Sequence, residues 1–180
     1  SDGTRGGNDL LDIYLQNLGG QGLYGYCDTD SAPTGDGPWD APAYCAFDND
    51  YREFTSHTPL ENLQVTAAHE LFHAVQFAYD YLEDVWFMES TATWAEDEVF
   101  DDVDDNVQYL RSSPLKQPAV PLDKDAGLRV YGGWIFFRYL TERHPDAEGD
   151  LPVLVREMWE RADGSADGPD DYSIRAVKHV

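Results

Sequence analysis

The stretch from Leu60 to Leu82 has no glycine or proline, and it follows Pro59, a residue suited to the first turn of a helix. When residues 66–78 are placed at the helical period of 3.6 residues, the polar side chains fall within one arc of about 120°. These side chains are Thr66, His69, Glu70, His73 and Gln76. Nearly all the others are Ala, Leu, Phe or Val, and a helix that is apolar over most of its circumference is buried. The sequence therefore predicts a buried helix with a single polar stripe.

Three residues of that stripe, His69, Glu70 and His73, form the pattern His-Glu-x-x-His. Histidines four apart lie one helical turn from each other, so both imidazoles can reach one Zn²⁺. Glu70 lies beside them, where it can accept a proton from a water that the metal binds. Burying these groups without partners would be costly, and a metal would satisfy them. The alternative is a pair of core histidines with ordinary hydrogen bonds.

Zinc hydrolases take a third protein ligand and leave a fourth position for water. Residues 86–96 resemble the Trp-x-x-Glu-Gly-x-Ala pattern of the gluzincins, the thermolysin-like and aminopeptidase-N-like peptidases. The matching residues are Trp86, Glu89, Ala92 and Glu96, with Ser90 at the usual glycine. The resemblance implies Glu89 as the third ligand and Glu96 as a partner of a ligating histidine. For Glu96 the alternative is a surface carboxylate in an acidic run.

The spacing departs from this pattern. Fifteen residues separate His73 from Glu89, fewer than in the best-known gluzincins, and the connection requires a tight turn. Asp80, Glu83 and Glu96 therefore stay open as alternative metal ligands.

The chain is also similar to a family of secreted bacterial metallopeptidases, through residues 69–80, 86–96 and 131–139. The resemblance implies a single zincin-like catalytic domain over residues 1–180, which acts as a secreted monomer on peptide or protein substrates. The segment Val130-Tyr131-Gly132-Gly133 is similar to one whose tyrosine stabilises the oxyanion in aminopeptidase-N-type enzymes. Tyr131 is the candidate for that role, and the alternative is a buried phenol bonded to the backbone.

The order of elements predicts an α+β fold, with a small N-terminal β-sheet, then the active-site helix, then a mainly helical C-terminal part. Short runs of branched or aromatic residues between turn residues predict the strands. The predicted strands are 11–15, 22–27 and 43–47, and the predicted helices are 60–82, 86–100, 107–111, 129–143, 151–162 and 170–179.

The formal net charge of −23 bears on partners. Such a surface repels nucleic-acid phosphates and anionic lipid headgroups, so we expect neither partner. No run is long and apolar enough for a membrane helix, so we expect no membrane insertion. The acidity fits a salty habitat, where ions screen self-repulsion, and equally fits plain solubility.

Cys27 and Cys45 flank a loop rich in Thr, Asp, Ser, Pro and Gly. For a zincin-like secreted protein we expect a disulfide that closes this loop in an oxidising compartment. The alternative is two unpaired cysteines.

The sequence as a whole favours a zinc peptidase. It is expected to be an endopeptidase, because no Gly-Ala-Met-Glu-Asn-like strand is present to recognise a substrate's free amine. Two alternatives stay open: a catalytically idle zincin that serves as a binding or display module, and a zinc hydrolase of a non-peptide amide or ester.

Overall fold

A computed structural model describes residues 8, 10–148 and 151–180. The predicted domain of residues 1–180 therefore includes residues 1–7, 9, 149 and 150, which lie outside the described residues. The described part is a mixed α/β structure with six α-helices, a three-stranded sheet and a two-stranded sheet.

The N-terminal sheet contains β1 (Asp12–Gln16), β2 (Gly25–Asp28) and β3 (Tyr44–Asp48). β3 is central, parallel to β1 and antiparallel to β2. Cys27 and Cys45 lie directly opposite each other in the β2–β3 pair and form a disulfide, as expected from the sequence. The three strands lie within a few residues of their predicted positions.

The helix α1 (Pro59–Phe77) packs against β2 and β3 and carries the polar stripe. Its start is defined by a capping box. The Thr58 hydroxyl accepts from the Glu61 N–H, and the Glu61 carboxylate accepts from the Thr58 N–H. The stripe faces inward, because Glu70 and His73 are buried whereas Val75, on another face, is half exposed.

The helix α2 (Val85–Phe100) is buried on nearly all sides, as expected for a helix at the centre of a core. It packs against α1, α3 (Arg129–Gly132) and α4 (Trp134–Arg143). The Phe87 ring stacks on Trp159, which belongs to α5 (Leu154–Arg161), with 4.6 Å between the centroids. The last helix is α6 (Ile174–Lys178), and 3-10 helices span 19–21, 101–103 and 105–112.

The first predicted helix is shorter than expected, because α1 ends at Phe77 rather than near residue 82. Backbone groups beyond this point bond to distant loops instead of continuing the helix. The Phe77 carbonyl accepts from the Ala41 N–H, and the Tyr79 carbonyl accepts from the Gly164 N–H. These loop partners satisfy the groups that a longer helix would have paired.

Two further differences lie in the C-terminal part. The predicted helix 129–143 is divided at Gly133 into α3 and α4. The start of the predicted helix 151–162 instead belongs to a hairpin of β4 (Ala147–Glu148) and β5 (Leu151–Pro152), which precedes α5. Both strands have only two residues, too few for a periodic pattern to reveal them.

Candidate metal centre

Two histidines of α1 and one carboxylate of α2 converge on a common point. The Nε2 atoms of His69 and His73 are 3.0 Å apart. The Glu89 Oε2 atom lies 3.2 Å from the first and 3.6 Å from the second. The structure therefore brings together the three residues that the sequence suggested as zinc ligands.

The other ring nitrogen of each histidine bonds to a buried acceptor. The His69 Nδ1 atom lies 2.6 Å from Glu96 Oε1, and the His73 Nδ1 atom lies 2.6 Å from Gln76 Oε1. Gln76 is in turn held at its amide end, where Nε2 donates to the Met88 carbonyl at 2.9 Å. Both Nδ1 atoms therefore carry the proton, and a neutral imidazole then presents a lone pair at Nε2.

This arrangement requires a positive charge among the three converging atoms. Two Nε2 lone pairs and a carboxylate oxygen would otherwise face one another at hydrogen-bond distance with no hydrogen between them. A proton on His69 or a metal ion can supply the charge. Ligand atoms bound to one tetrahedral Zn²⁺ lie about 3.3 Å apart, which matches the observed separations. Two nitrogens and one oxygen are also a donor set that Zn²⁺ accepts, so the residues present fit the metal.

The histidines and carboxylates of the site shift one another's pKa values. Burial would raise the pKa of Glu89, but hydrogen bonds and charges from His69 and His73 outweigh burial and hold that pKa well below its ordinary value. Burial would lower the pKa of His69, yet Glu89 and Glu96 raise it well above its ordinary value. Burial raises the pKa of Glu96 itself to about 7, although the bond from His69 opposes this. A metal would compete with protons for these groups.

Glu70 lies beside the histidines, in a cavity of about 240 Å³ that His69, Glu96 and Tyr131 also line. Its side chain is buried, and its charge is one of the causes that raise the pKa of His69 and of Tyr131. Its backbone carbonyl is in contact with the disulfide, 2.8 Å from the Cys27 Sγ atom. The disulfide therefore packs against the turn of α1 that contains Glu70.

Tyr131 reaches the same cavity from α3. Its ring lies 6.1 Å from that of His69, and burial, followed by the charge of Glu89, raises the pKa of its phenol. Two glycines allow this approach. A Cβ on Gly132 would lie 2.9 Å from the Ser112 backbone, and a Cβ on Gly133 would lie 2.0 Å from the Ser90 hydroxyl. The Gly-Gly pair therefore lets α3 pack closely enough to present the phenol.

The alternative ligands lie elsewhere or act differently. Asp80 accepts a hydrogen bond from the Leu82 N–H at 2.7 Å, and Glu83 accepts one from the Ser173 N–H at 2.9 Å. Neither belongs to the group around the histidines. Glu96 is buried rather than a surface carboxylate, and it contacts the outer nitrogen of His69.

The remaining histidines lie outside the centre. His57 is in the loop before α1 and pairs with Asp105, His144 is exposed at the end of α4, and His179 pairs with Asp171.

A second acidic group contains Asp48, Asp50 and Glu53. Asp48 is buried, and its carboxylate accepts from the backbone N–H groups of Leu18, Gly19, Asp50 and Tyr51. These bonds lower its pKa against the effect of burial. Asp48 therefore organises the turn after β3, and its charge is already compensated by backbone dipoles.

A larger cavity of about 400 Å³ lies on another face of α1. Phe72, Val75, Trp94 and Trp159 give it a mainly apolar lining, and it shares only Gln76 with the histidine site. Neither histidine of the candidate metal centre, nor Glu70, Glu89 or Glu96, is among its lining residues.

Gln76 lies on the predicted polar stripe, where the sequence assigns it no partner, and Tyr109 and Asp105 belong to none of the sequence motifs. The signal for Gln76 was present, because it follows His73 by three positions on the same helix face. Tyr109 and Asp105 line the cavity from a distant 3-10 helix, and no local pattern marks them.

No family model, curated protein or solved structure matches the chain. Among the described residues, no helix is long and apolar enough to cross a membrane.

Proposed function

We propose that this chain is the catalytic domain of a zinc-dependent endopeptidase with a zincin-like fold. The observation that carries the proposal is the convergence of His69 Nε2, His73 Nε2 and Glu89 Oε2, with both Nδ1 protons held by buried acceptors. The Glu96 and Gln76 bonds fix the tautomer in which Nε2 is free to ligate, as the outer partners of metal-bound histidines do.

The chemistry is divided among the residues of the cavity. His69, His73 and Glu89 would hold the zinc, which would supply a Lewis acid and lower the pKa of water. Glu70 accepts the proton of the attacking water and then delivers it to the leaving amine, as a general base and acid. The Tyr131 phenol, whose ordinary pKa is 10.0 and is raised further by burial, is protonated at neutral pH and can donate a hydrogen bond to the oxyanion.

The disulfide supports a secreted protein, because such bonds persist in oxidising compartments. It closes the segment between β2 and β3, and it lies against the active-site helix. Secretion as a monomer is part of the proposal.

The test is the pair of variants Glu70→Gln and Glu157→Gln, each loaded with zinc and assayed on a peptide library. Glu157 is an exposed carboxylate on α5, so its variant controls for the loss of one charge. Glu70→Gln should keep one zinc per chain by metal analysis but lose about 10²–10⁴-fold in kcat, since residue 70 acts as a base and does not ligate. Glu157→Gln should match the wild type.

Three results would count against the proposal. Cleavage at a near wild-type rate by Glu70→Gln would show that the base is misassigned. One zinc per chain in His73→Ala would show that the metal ligands are misassigned. Bound zinc with no cleavage of any peptide would favour a catalytically idle binding or display module. If such a chain cleaves a non-peptide amide or ester, the result would favour a zinc hydrolase of those substrates.

A further inference from the structure

The cavity beside His69 and Glu70 has a second wall that takes no part in holding the histidines. Tyr109, from the 3-10 helix Asp105–Ser112, and Tyr24, which precedes β2, line this wall. The Tyr109 ring stacks on Tyr131 with 5.1 Å between centroids, and Tyr24 stacks on Phe54 at 3.5 Å. The wall therefore presents aromatic rings that are fixed by their neighbours.

Asp105 is the carboxylate of this wall. Its side chain is 15% exposed, and each oxygen has one partner: His57 Nε2 at 3.2 Å and Gln108 Nε2 at 2.9 Å. A carboxylate accepts about four hydrogen bonds, so Asp105 can accept more from a ligand. The adjacent Asn106 bonds to Asp97 of α2, which fixes the position of the segment. The acidic run Asp101–Asp105 thus places its last residue in the cavity.

Acidic side chains predominate in the cavity, and His69 is the basic side chain of its lining. Three carboxylates line it, from Glu70, Glu96 and Asp105, and no lysine or arginine is among its lining residues. Clefts of one charge sign with low-dielectric walls concentrate the field and raise the local concentration of opposite charges. Burial and then the charge of Asp105 raise the pKa of Tyr24, so the carboxylate is felt at the ring beside it.

We propose that this wall selects substrates with a cationic side chain, arginine or lysine, which pairs with Asp105 and packs on the tyrosine rings. Guanidinium groups make two-pronged bonds to carboxylates and stack on aromatic faces, which matches both features of the wall. The inference rests on the proposed peptidase function for the reaction, and it assigns Asp105 as the residue that determines specificity.

The experiment uses peptide pairs that differ at one position, arginine against citrulline, which is nearly isosteric and neutral. Wild-type, Asp105→Asn and Asp104→Asn chains are loaded with zinc and assayed under the same conditions. Asp104 is exposed, has a positive φ that asparagine tolerates and does not line the cavity, so its variant removes the same charge one residue away.

The wild type and Asp104→Asn should prefer arginine by about tenfold to a hundredfold in kcat/KM, the range for a charge-assisted bond. Asp105→Asn should lose most of this preference, because its kcat/KM should fall more on the arginine peptide than on the citrulline peptide. Equal losses on both peptides would reduce Asp105 to a structural role. Cleavage without an arginine preference in the wild type would overturn the inference and leave the peptidase standing.

A binding arm separates the two proposals. Benzoyl-arginine amide and benzoyl-citrulline amide are titrated into the same zinc-loaded chains and followed by nuclear magnetic resonance. Suppose that the wild type prefers the arginine compound, that Asp105→Asn abolishes this preference, and that no peptide is cleaved. This result would support the site for cationic side chains and count against the peptidase. Equal binding of both compounds would overturn the site for cationic side chains.

Discussion

Each histidine of the centre is oriented by a different kind of acceptor. His69 bonds to the carboxylate of Glu96, which carries charge and strengthens the nitrogen as a ligand. His73 bonds to the amide of Gln76, which is fixed at both ends, because its Nε2 atom donates to Met88 and Thr91. The amide orients the imidazole without adding a charge to a site that is already rich in carboxylates.

This role of Gln76 leads to a prediction. Gln76→Leu removes the acceptor of the His73 Nδ1–H, so zinc affinity should fall about 10–100-fold, the usual effect of losing such a partner. Gln76→Glu keeps an acceptor for His73 and should retain more affinity than the leucine variant. Competition with a fluorescent zinc chelator measures both.

Gln64→Leu serves as the control, since Gln64 lies on α1 outside the polar stripe. Thermal unfolding checks that each variant is folded. A folded Gln76→Leu chain with wild-type zinc affinity would contradict the role assigned to Gln76.

At the scale of elements, the connection between α1 and α2 decides where Glu89 lies. α1 ends at Phe77 and α2 begins at Val85, so only residues 78–84 connect the two helices, which pack against each other. Glu83 anchors the connection to the C-terminal part, because its carboxylate accepts from the Ser173 N–H. Burial raises the pKa of Glu83 to about 7, and the nearby charge of Asp80 adds to this.

A pH dependence of stability follows from this anchor. Between pH 4.5, the ordinary pKa of glutamate, and pH 7, Glu83 keeps its proton in the folded chain but loses it in the unfolded chain. The free energy of unfolding should therefore fall as pH rises from about 4.5 to 7. One pKa unit corresponds to about 1.4 kcal/mol, so the fall is on the order of 3 kcal/mol.

The glutamine of Glu83→Gln does not titrate, so the free energy of unfolding of this variant should depend less on pH. The remaining pH dependence should come from other groups, such as Asp80, whose pKa is raised by burial to about 6. Urea unfolding at several pH values from 5 to 8 measures the slopes, with Glu157→Gln as the exposed control. Parallel curves for Glu83→Gln and the wild type would show that Glu83 does not carry the dependence.

At the scale of the whole molecule, a net charge of −23 disfavours the compact state through self-repulsion. Most of the aspartates and glutamates that give this charge are on the surface, where salt screens them. Glu70 and Glu96 of the candidate metal centre are buried and screened less. Salt should therefore act on the stability of the fold more than on the electrostatics of the site.

We predict that the melting temperature rises as NaCl increases from about 0.01 M to about 1 M, over which the Debye length falls from about 30 Å to about 3 Å. A variant with both Asp102→Asn and Asp104→Asn, which removes two exposed charges, should depend less on salt. Differential scanning calorimetry measures both chains. A melting temperature that stays flat or falls would show that the acidity is incidental to stability.

Local patterns in the sequence determined the elements that depend on neighbouring residues. The periodicity of residues 66–78 indicated a helix with one polar stripe, and the four-residue spacing placed His69 and His73 one turn apart. The three strands of the first sheet were predicted from short runs of branched and aromatic residues, because strand preference is also local.

Only the tertiary structure decided what meets across the chain. It places Glu89 rather than Asp80 or Glu83 beside the histidines, ends α1 at Phe77, and brings Asp105 to the cavity wall. These outcomes depend on loop partners and helix packing between residues far apart in sequence, which a single chain's periodicity does not encode. Sequence therefore determined which groups could do the chemistry, and packing decided which of them share a site, because convergence is a property of distances in space.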